Sequence, residues 1–185
     1  MTAAAATLRA AGHDCPIVSL GSTPSLVHAR NLEGVTEARA GMYVFFDLFQ
    51  AGIGSCDRDD IALAVLTTVI GNHPERGQVV VDAGALALSK DVSTQALGPA
   101  GDCGYGLVAD AESGTVMDGL YVPGVSQEHG IIRSVGAIEH AGFPIGRRLL
   151  VLPNHACLTA AAYDRYHVVD GGTAIEAVWP RVNGW

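Results

Sequence analysis

Residues 61–84 read IALAVLTTVIGNHPERGQVVVDAG. Two short apolar runs, Ala62 to Ile70 and Gln78 to Val81, are separated by the turn signal Pro74 to Gly77. The same grammar continues to the end of the chain. Apolar runs recur at Gly106 to Ala109, Gly119 to Val122, Ile131 to Val135, Arg148 to Leu152, His167 to Val169 and Thr173 to Val178. Turn signals lie between them at Glu112 to Gly114, Phe143 to Gly146 and Asp170 to Gly172. Regular short strands with such punctuation predict a β-sandwich or a β-barrel.

Upstream of residue 60 the character differs. The alanine-rich stretch Ala3 to Gly12 predicts a short helix closed by its glycine. Cys15 to Gly21 reads as a buried strand, followed by the turn Gly21-Ser22-Thr23-Pro24, and Gly41 to Gln50 reads as a second strand. Helix, strand and glycine turn in that order form the end of a β/α repeat. The polar hinge Asp57 to Asp60 marks the change to the strand-rich part.

Composition narrows the classes of function. The 185 residues are 49% hydrophobic and 16% charged, enough apolar material for a core and too little charge for a disordered chain. Glycine occurs 23 times, in keeping with many turns. The net charge is -8 with no basic cluster, which argues against a nucleic-acid partner. The longest apolar run, Ile61 to Ile70, is too short to span a bilayer. Met1 to Ala6 lacks the basic and apolar regions of a signal peptide, and the four cysteines show no CxxC spacing. A reducing cytoplasm is the expected setting. Of eleven basic residues, ten are arginine and one, Lys90, is lysine.

The sharpest chemical feature is Pro153-Asn154-His155-Ala156-Cys157. On an extended segment, residues two apart share a face. His155 and Cys157 would then present an imidazole and a thiolate together, a pair suited to Zn²⁺ in an open site. The blander reading is a capping histidine beside a buried cysteine, and the pair alone favours it. Ser126 to Gly130 offers Glu128 and His129 as an orienting or acid/base pair, of which at most one faces any site on a strand, and plain surface residues are an equal reading. The Gly21 to Pro24 turn offers backbone N–H groups and two hydroxyls to a phosphate. Asp82-Ala83-Gly84 and Asp170-Gly171-Gly172 end strands; turn chemistry is the bland reading of both and the one held for Asp170. Tyr163, Asp164, Tyr166 and His167 read as packing around a sheet.

Taken in order, these stretches resemble one family. Gly21 to Pro24, Glu37 to Asp47, Val81 to Gly84, Ser89 to Asp91, Gln127 to Gly130, Pro153 to Cys157 and Tyr166 to Gly171 follow its order and spacing over nearly the whole chain. The family is that of the metal-activated pyridoxal-phosphate enzymes that include D-threonine aldolase and D-serine dehydratase. Those enzymes have an alanine-racemase type of fold. The resemblance therefore implies a mainly β chain: a β-sandwich or β-barrel-like domain at 56–185, preceded at 1–55 by the last α/β elements of a (β/α)8 barrel.

The resemblance also implies roles. Gly21, Ser22 and Thr23 match the turn for the cofactor phosphate, Tyr43 matches a position near the cofactor, and His155 and Cys157 match ligands of a divalent metal, Zn or Mn. The implied substrate is a small β-hydroxy-D-amino acid, cleaved by retro-aldol chemistry or dehydrated, in a homodimer. The family holds pyridoxal phosphate on a Schiff-base lysine near the start of its barrel, a position that Lys90 does not match. The chain is therefore expected to be the C-terminal part of such a lyase, inactive by itself. The alternative is a catalytically incomplete β domain serving metal binding or subunit assembly.

Overall fold

A computed structural model of the chain describes residues 1–182. In chain order it contains α1 (Thr2–Ala10), β1 (Ser19–Gly21), α2 (Thr23–Val27), β2 (Glu37–Arg39) and α3 (Leu48–Gly52). Then come β3 (Val65–His73), β4 (Gln78–Val81), α4 (Ala85–Leu88), β5 (Gly106–Asp110), β6 (Val116–Val125), β7 (Gly130–Ser134) and β8 (Arg148–Pro153). The described part ends with α5 (Ala156–Ala161), β9 (Arg165–Val168) and β10 (Ala177–Pro180). Among the described residues no helix is long and apolar enough to cross a membrane.

The mainly β expectation holds, and the choice between sandwich and barrel resolves to a closed barrel. Six antiparallel strands run in the order β3-β4-β7-β6-β5-β8, with β8 closing on β3 through pairs such as Val65 opposite Val151. Closure follows from the alternation in the sequence. Val65, Thr67 and Val69 on β3 point inward, as do Val79 and Val81 on β4, Val108 on β5, Leu120 and Val122 on β6, Ile132 on β7, and Leu149 and Val151 on β8. Each apolar side chain of this set contributes about 1.5–3 kcal/mol by leaving water, and a closed sheet leaves no edge to protect.

One outer face of the barrel is also covered. Leu152 and Ala109 pack with Leu48 of α3 in a second apolar cluster, which includes the partly buried Ile61, Cys103, Leu107, Val116 and Leu150. This contact seats α3 beside the end of β8. In the first part of the chain, β1 and β2 pair in parallel across α2, with Ser19 opposite Glu37. A parallel pair joined by a helix is a β/α connection.

Three local expectations are corrected. Residues 41–50 do not form a strand: Met42–Val44 is a 3₁₀ turn and Leu48–Gly52 is α3. Phe46 takes φ 52, which breaks an extended run, and Asp47 caps α3 by accepting from Gln50 N at 2.8 Å. The strand expected over residues 15–21 is confined to Ser19–Gly21. The last strand lies at Ala177–Pro180 rather than 173–178, and it pairs only with β9, outside the barrel.

Candidate functional site

The end of β8 delivers the histidine–cysteine segment. Asn154, which follows the strand, is fully buried. Its Nδ2 donates to Thr94 Oγ1 and to Gly104 O, both at 2.6 Å, and its Oδ1 accepts from Thr94 N at 3.3 Å. Thr94 Oγ1 in turn accepts from Cys103 N at 3.1 Å. Gly104 is itself packed on β6, where a side chain does not fit: at φ +56, a Cβ would stand 2.4 Å from Val122 O. The backbone leading into His155 is thus tied to two loops at once.

His155 and Cys157 do not lie along one extended strand as the alternation argument required. His155 occupies the position before α5 with extended backbone, φ -137 and ψ 104, and Cys157 lies in the first turn of the helix. The chain turns between them because the first-turn amide of Ala156 is capped from elsewhere, by Asp47 Oδ2 at 2.9 Å. The blander reading also fails in part. His155 holds the cap position without capping, and Cys157 is exposed rather than buried.

The His155 ring is turned outward to Asp91. Nδ1 lies 3.1 Å from Asp91 Oδ2. Asp91 Oδ1 accepts from Ser93 N at 2.7 Å and from the Ser93 hydroxyl. Burial pushes the Asp91 carboxyl up, but the Ser93 and His155 hydrogen bonds outweigh that and hold it below its ordinary value. A carboxylate at this distance accepts from an Nδ1–H, and in the neutral ring that tautomer leaves Nε2 as the acceptor.

Cys157 Sγ lies 2.9 Å from Met42 Sδ. Partial desolvation, and then the neighbouring Asp47 carboxylate, raise the thiol above its ordinary value. Asp47 itself is 1% exposed, and burial raises it against two backbone N–H donors and the nearby His155. Among the described residues no third histidine, cysteine or carboxylate joins His155 and Cys157 as a metal-binding group.

The predicted phosphate turn comes to the same neighbourhood. Ser22 has φ 95, an uncommon value for a residue with a side chain, and its Oγ accepts from Ser25 N at 3.4 Å at the start of α2. Ser22 N donates to Arg39 O at 3.1 Å, and the Arg39 guanidinium packs against Gly21. Thr23 is buried and its Oγ1 accepts from Tyr43 N at 3.1 Å. The Met42–Val44 turn thereby touches the phosphate turn through Tyr43 and Cys157 through Met42. Tyr43 is 58% exposed.

Glu128 and His129 lie elsewhere. They sit on an exposed turn between β6 and β7 that stacks on Gly84, where a Cβ would stand 2.4 Å from His129 N. Glu128 accepts from Gln127 Nε2 at 3.3 Å. Asp82 serves the barrel, accepting from Thr67 Oγ1 at 2.7 Å and Thr68 N at 2.8 Å. Lys90 is exposed, directly before Asp91. Asp47, Asp91 and Asn154 carry the site's geometry, although sequence reasoning assigned them no role. Their partners lie far along the chain, and local spacing carries no trace of that.

Residues 62–169 match the family described as "Putative serine dehydratase domain". The chain is 48% identical over 186 residues to D-threo-3-hydroxyaspartate dehydratase of Delftia sp. strain HT23, covering 98% of this chain and 48% of that protein. It is 35% identical over 175 residues to D-serine dehydratase of Dictyostelium discoideum, covering 91% of this chain and 43% of that protein. The chain thus spans about half the length of these curated relatives.

Solved structures agree. An alanine-racemase-like protein of Idiomarina loihiensis superposes with TM-score 0.88 at 42% identity, over 98% of this chain and 48% of that one. Two alanine mutants of D-threo-3-hydroxyaspartate dehydratase superpose with TM-score 0.87 at 46% and 47% identity, over 98% and 100% of this chain and 47% and 48% of theirs. One replaces a histidine, and the other replaces a cysteine two positions on and is in the metal-free form. D-threonine aldolase of Filomicrobium marinum is more distant, with TM-score 0.67 at 26% identity over 95% of this chain and 43% of that one.

Proposed function

Because the chain belongs to the serine dehydratase domain family, we propose that it is the metal-carrying, C-terminal part of a lyase that acts on small β-hydroxy-D-amino acids with pyridoxal phosphate and a divalent metal, Zn or Mn. In this reading residues 56–185 are the β domain, and residues 1–55 are the end of the barrel that holds the cofactor.

The observation that carries the reading is the pairing of His155 with Asp91. A histidine held through Nδ1 by a carboxylate presents Nε2 in one fixed direction, the usual arrangement of a metal-ligating imidazole. Cys157, exposed in the first turn of α5, supplies a soft sulfur donor beside it. Two protein ligands suit an open catalytic site rather than a closed structural one. The histidine and cysteine mutated in D-threo-3-hydroxyaspartate dehydratase have the same spacing as His155 and Cys157, which supports the assignment.

The Gly21–Thr23 turn fits the phosphate end of the cofactor. Ser22 and Arg39 are exposed, the Arg39 guanidinium lies against Gly21, and Tyr43 is tied to the turn through Thr23. When bound, pyridoxal phosphate supplies an electron sink at the substrate Cα, and the metal supplies a Lewis acid for the β-hydroxyl. The chain's own residues orient and hold. Asp91 fixes the His155 ring, Asn154 anchors the backbone behind it, and the Met42–Val44 turn keeps the phosphate turn next to Cys157.

Dehydration is favoured over retro-aldol cleavage, because the relatives at 48% and 35% identity are dehydratases and the aldolase stands at 26%. Lys90 is not assigned the Schiff-base role, so the chain by itself is read as inactive. Ile17, Tyr43, Val44 and Trp179, all more than half exposed, are apolar surface suited to the implied homodimer.

Metal loading tests the reading. The chain is incubated with Zn²⁺, dialysed and analysed for retained metal. Retention by the wild type and loss in both His155→Ala and Cys157→Ala are expected. Equal retention by all three chains would overturn it.

A further inference from the structure

The carboxylate of Asp47 lies 1% exposed against the histidine–cysteine segment, and the reading above gives it no part. Among the described residues, no arginine or lysine lies within ion-pair distance of it. Burying an unpaired carboxylate is costly, so its two hydrogen bonds show what it is there to hold. Oδ1 accepts from Gln50 N at 2.8 Å and caps α3. Oδ2 crosses to the barrel part of the chain and accepts from Ala156 N at 2.9 Å. Ala156 is the single residue between His155 and Cys157, so this one bond holds the first of the two peptides that join them.

The rest of the segment reinforces the contact. Five residues before Asp47, Met42 rests its sulfur 2.9 Å from Cys157 Sγ. Phe49 N, two residues after it, donates to Asn154 O at 3.3 Å. Leu48 packs on Leu152 in the outer apolar cluster. Residues 42–49 thus grip 152–157 from one side, with Asp47 at the centre. A charged acceptor makes the stronger bond to an amide, and only a carboxylate accepts two N–H groups with no hydrogen of its own to place.

The geometry points to Asp47 as a positioning residue for the metal ligands: by holding the amide of Ala156, it sets the relative orientation of His155 and Cys157. The inference rests on the metal reading given above. Its consequence is that geometry at the metal depends on a residue from the part of the chain that carries the phosphate turn. Displacement of residues 42–49, for example when the phosphate turn is filled, then reaches the metal through Asp47.

Asp47→Asn separates the two bonds. Asparagine is a good helix cap, so Oδ1 still receives Gln50 N, while its amide N–H₂ meets the N–H of Ala156 donor to donor. The full chain is titrated with Co²⁺, and the thiolate-to-cobalt absorption and the d–d bands are recorded. Zn²⁺ affinity is measured by competition with a chromophoric chelator, and folding is followed by far-UV circular dichroism. Asp82→Asn, which disturbs a carboxylate of the barrel wall, controls for general destabilisation.

The expected result is wild-type Co²⁺ absorption, no thiolate band in Cys157→Ala, and unchanged spectra in Asp82→Asn. In Asp47→Asn the d–d bands are altered and Zn²⁺ binding is about 10–100-fold weaker. Should Asp47→Asn not fold, Asp47→Ser, which keeps a cap for α3 and lacks the acceptor for Ala156, takes its place. A thiolate band in the wild type with identical spectrum and affinity in the Asp47 variant overturns this inference alone. No thiolate band in the wild type overturns the metal reading and this inference with it.

Discussion

Oδ2 of Asp91 lies 3.1 Å from Nδ1 of His155, across 64 residues of sequence. The contact joins the loop after α4 to the end of β8, and it turns a histidine at a helix start into a directed donor. Asp91→Ala is expected to weaken Zn²⁺ binding by about 10–100-fold while the barrel remains folded. Isothermal titration with Zn²⁺ measures the first, and thermal melting the second. Asp91→Glu, with a longer reach to Nδ1, is expected to recover part of the affinity.

Asn154 bears on stability more than Asp91 does. Asn154→Ala takes a hydrogen bond from the Gly104 carbonyl, from the Thr94 amide and from the Thr94 hydroxyl, which keeps only Cys103 N, in a fully buried place. The expected loss is on the order of 3 kcal/mol, read from urea denaturation. Metal binding falls with it, because the same side chain anchors the backbone of His155.

Gly104 and Gly77 share a left-handed backbone, φ +56 and +58, but not their surroundings. A Cβ at Gly77 meets nothing within 4 Å, whereas one at Gly104 meets Val122 O at 2.4 Å. Gly77→Ala is expected to cost about 1 kcal/mol, the left-handed penalty alone. Gly104→Ala carries overpacking as well and is expected to cost at least about 2 kcal/mol more. Parallel denaturation curves check the difference.

The far end of the barrel gives a pH dependence. Asp110 accepts from the backbone of Ser113, from Arg147 at 2.9 Å and from the backbone of Glu112, which hold its carboxyl down at about 2. Because the folded value is depressed, this stabilisation is present above the unfolded value of about 3.9. It is lost as pH falls from there through about 2. In Asp110→Asn the melting temperature is expected to fall at neutral pH and to lose part of its dependence on acid below about pH 4. Melting curves across that range decide it.

Much of the barrel was legible. Alternation such as Val65, Thr67, Val69 on β3 announces one buried face, and the glycine and proline turns separate the strands at nearly the right places. Closure was not legible, since the same alternation serves a sandwich. The segment 41–50 misled because Tyr43, Phe45 and Phe49 suit a strand. Phe46 takes a positive φ and Asp47 starts a helix three residues before Gln50, while its other oxygen is committed to Ala156, more than a hundred positions away. The site divided in the same way. His155 and Cys157 stood out by spacing, although a helix start rather than a strand presents them. Asp91 and Asp47 are ordinary aspartates until the fold places them.

X-ray absorption at the zinc edge of the Zn²⁺-loaded chain bears most directly on the central claim. The account predicts a mixed shell with a sulfur neighbour at about 2.3 Å and nitrogen or oxygen neighbours at about 2.0–2.1 Å, the sulfur absent in Cys157→Ala. A shell of nitrogen and oxygen alone in the wild type, unchanged in Cys157→Ala, would contradict it.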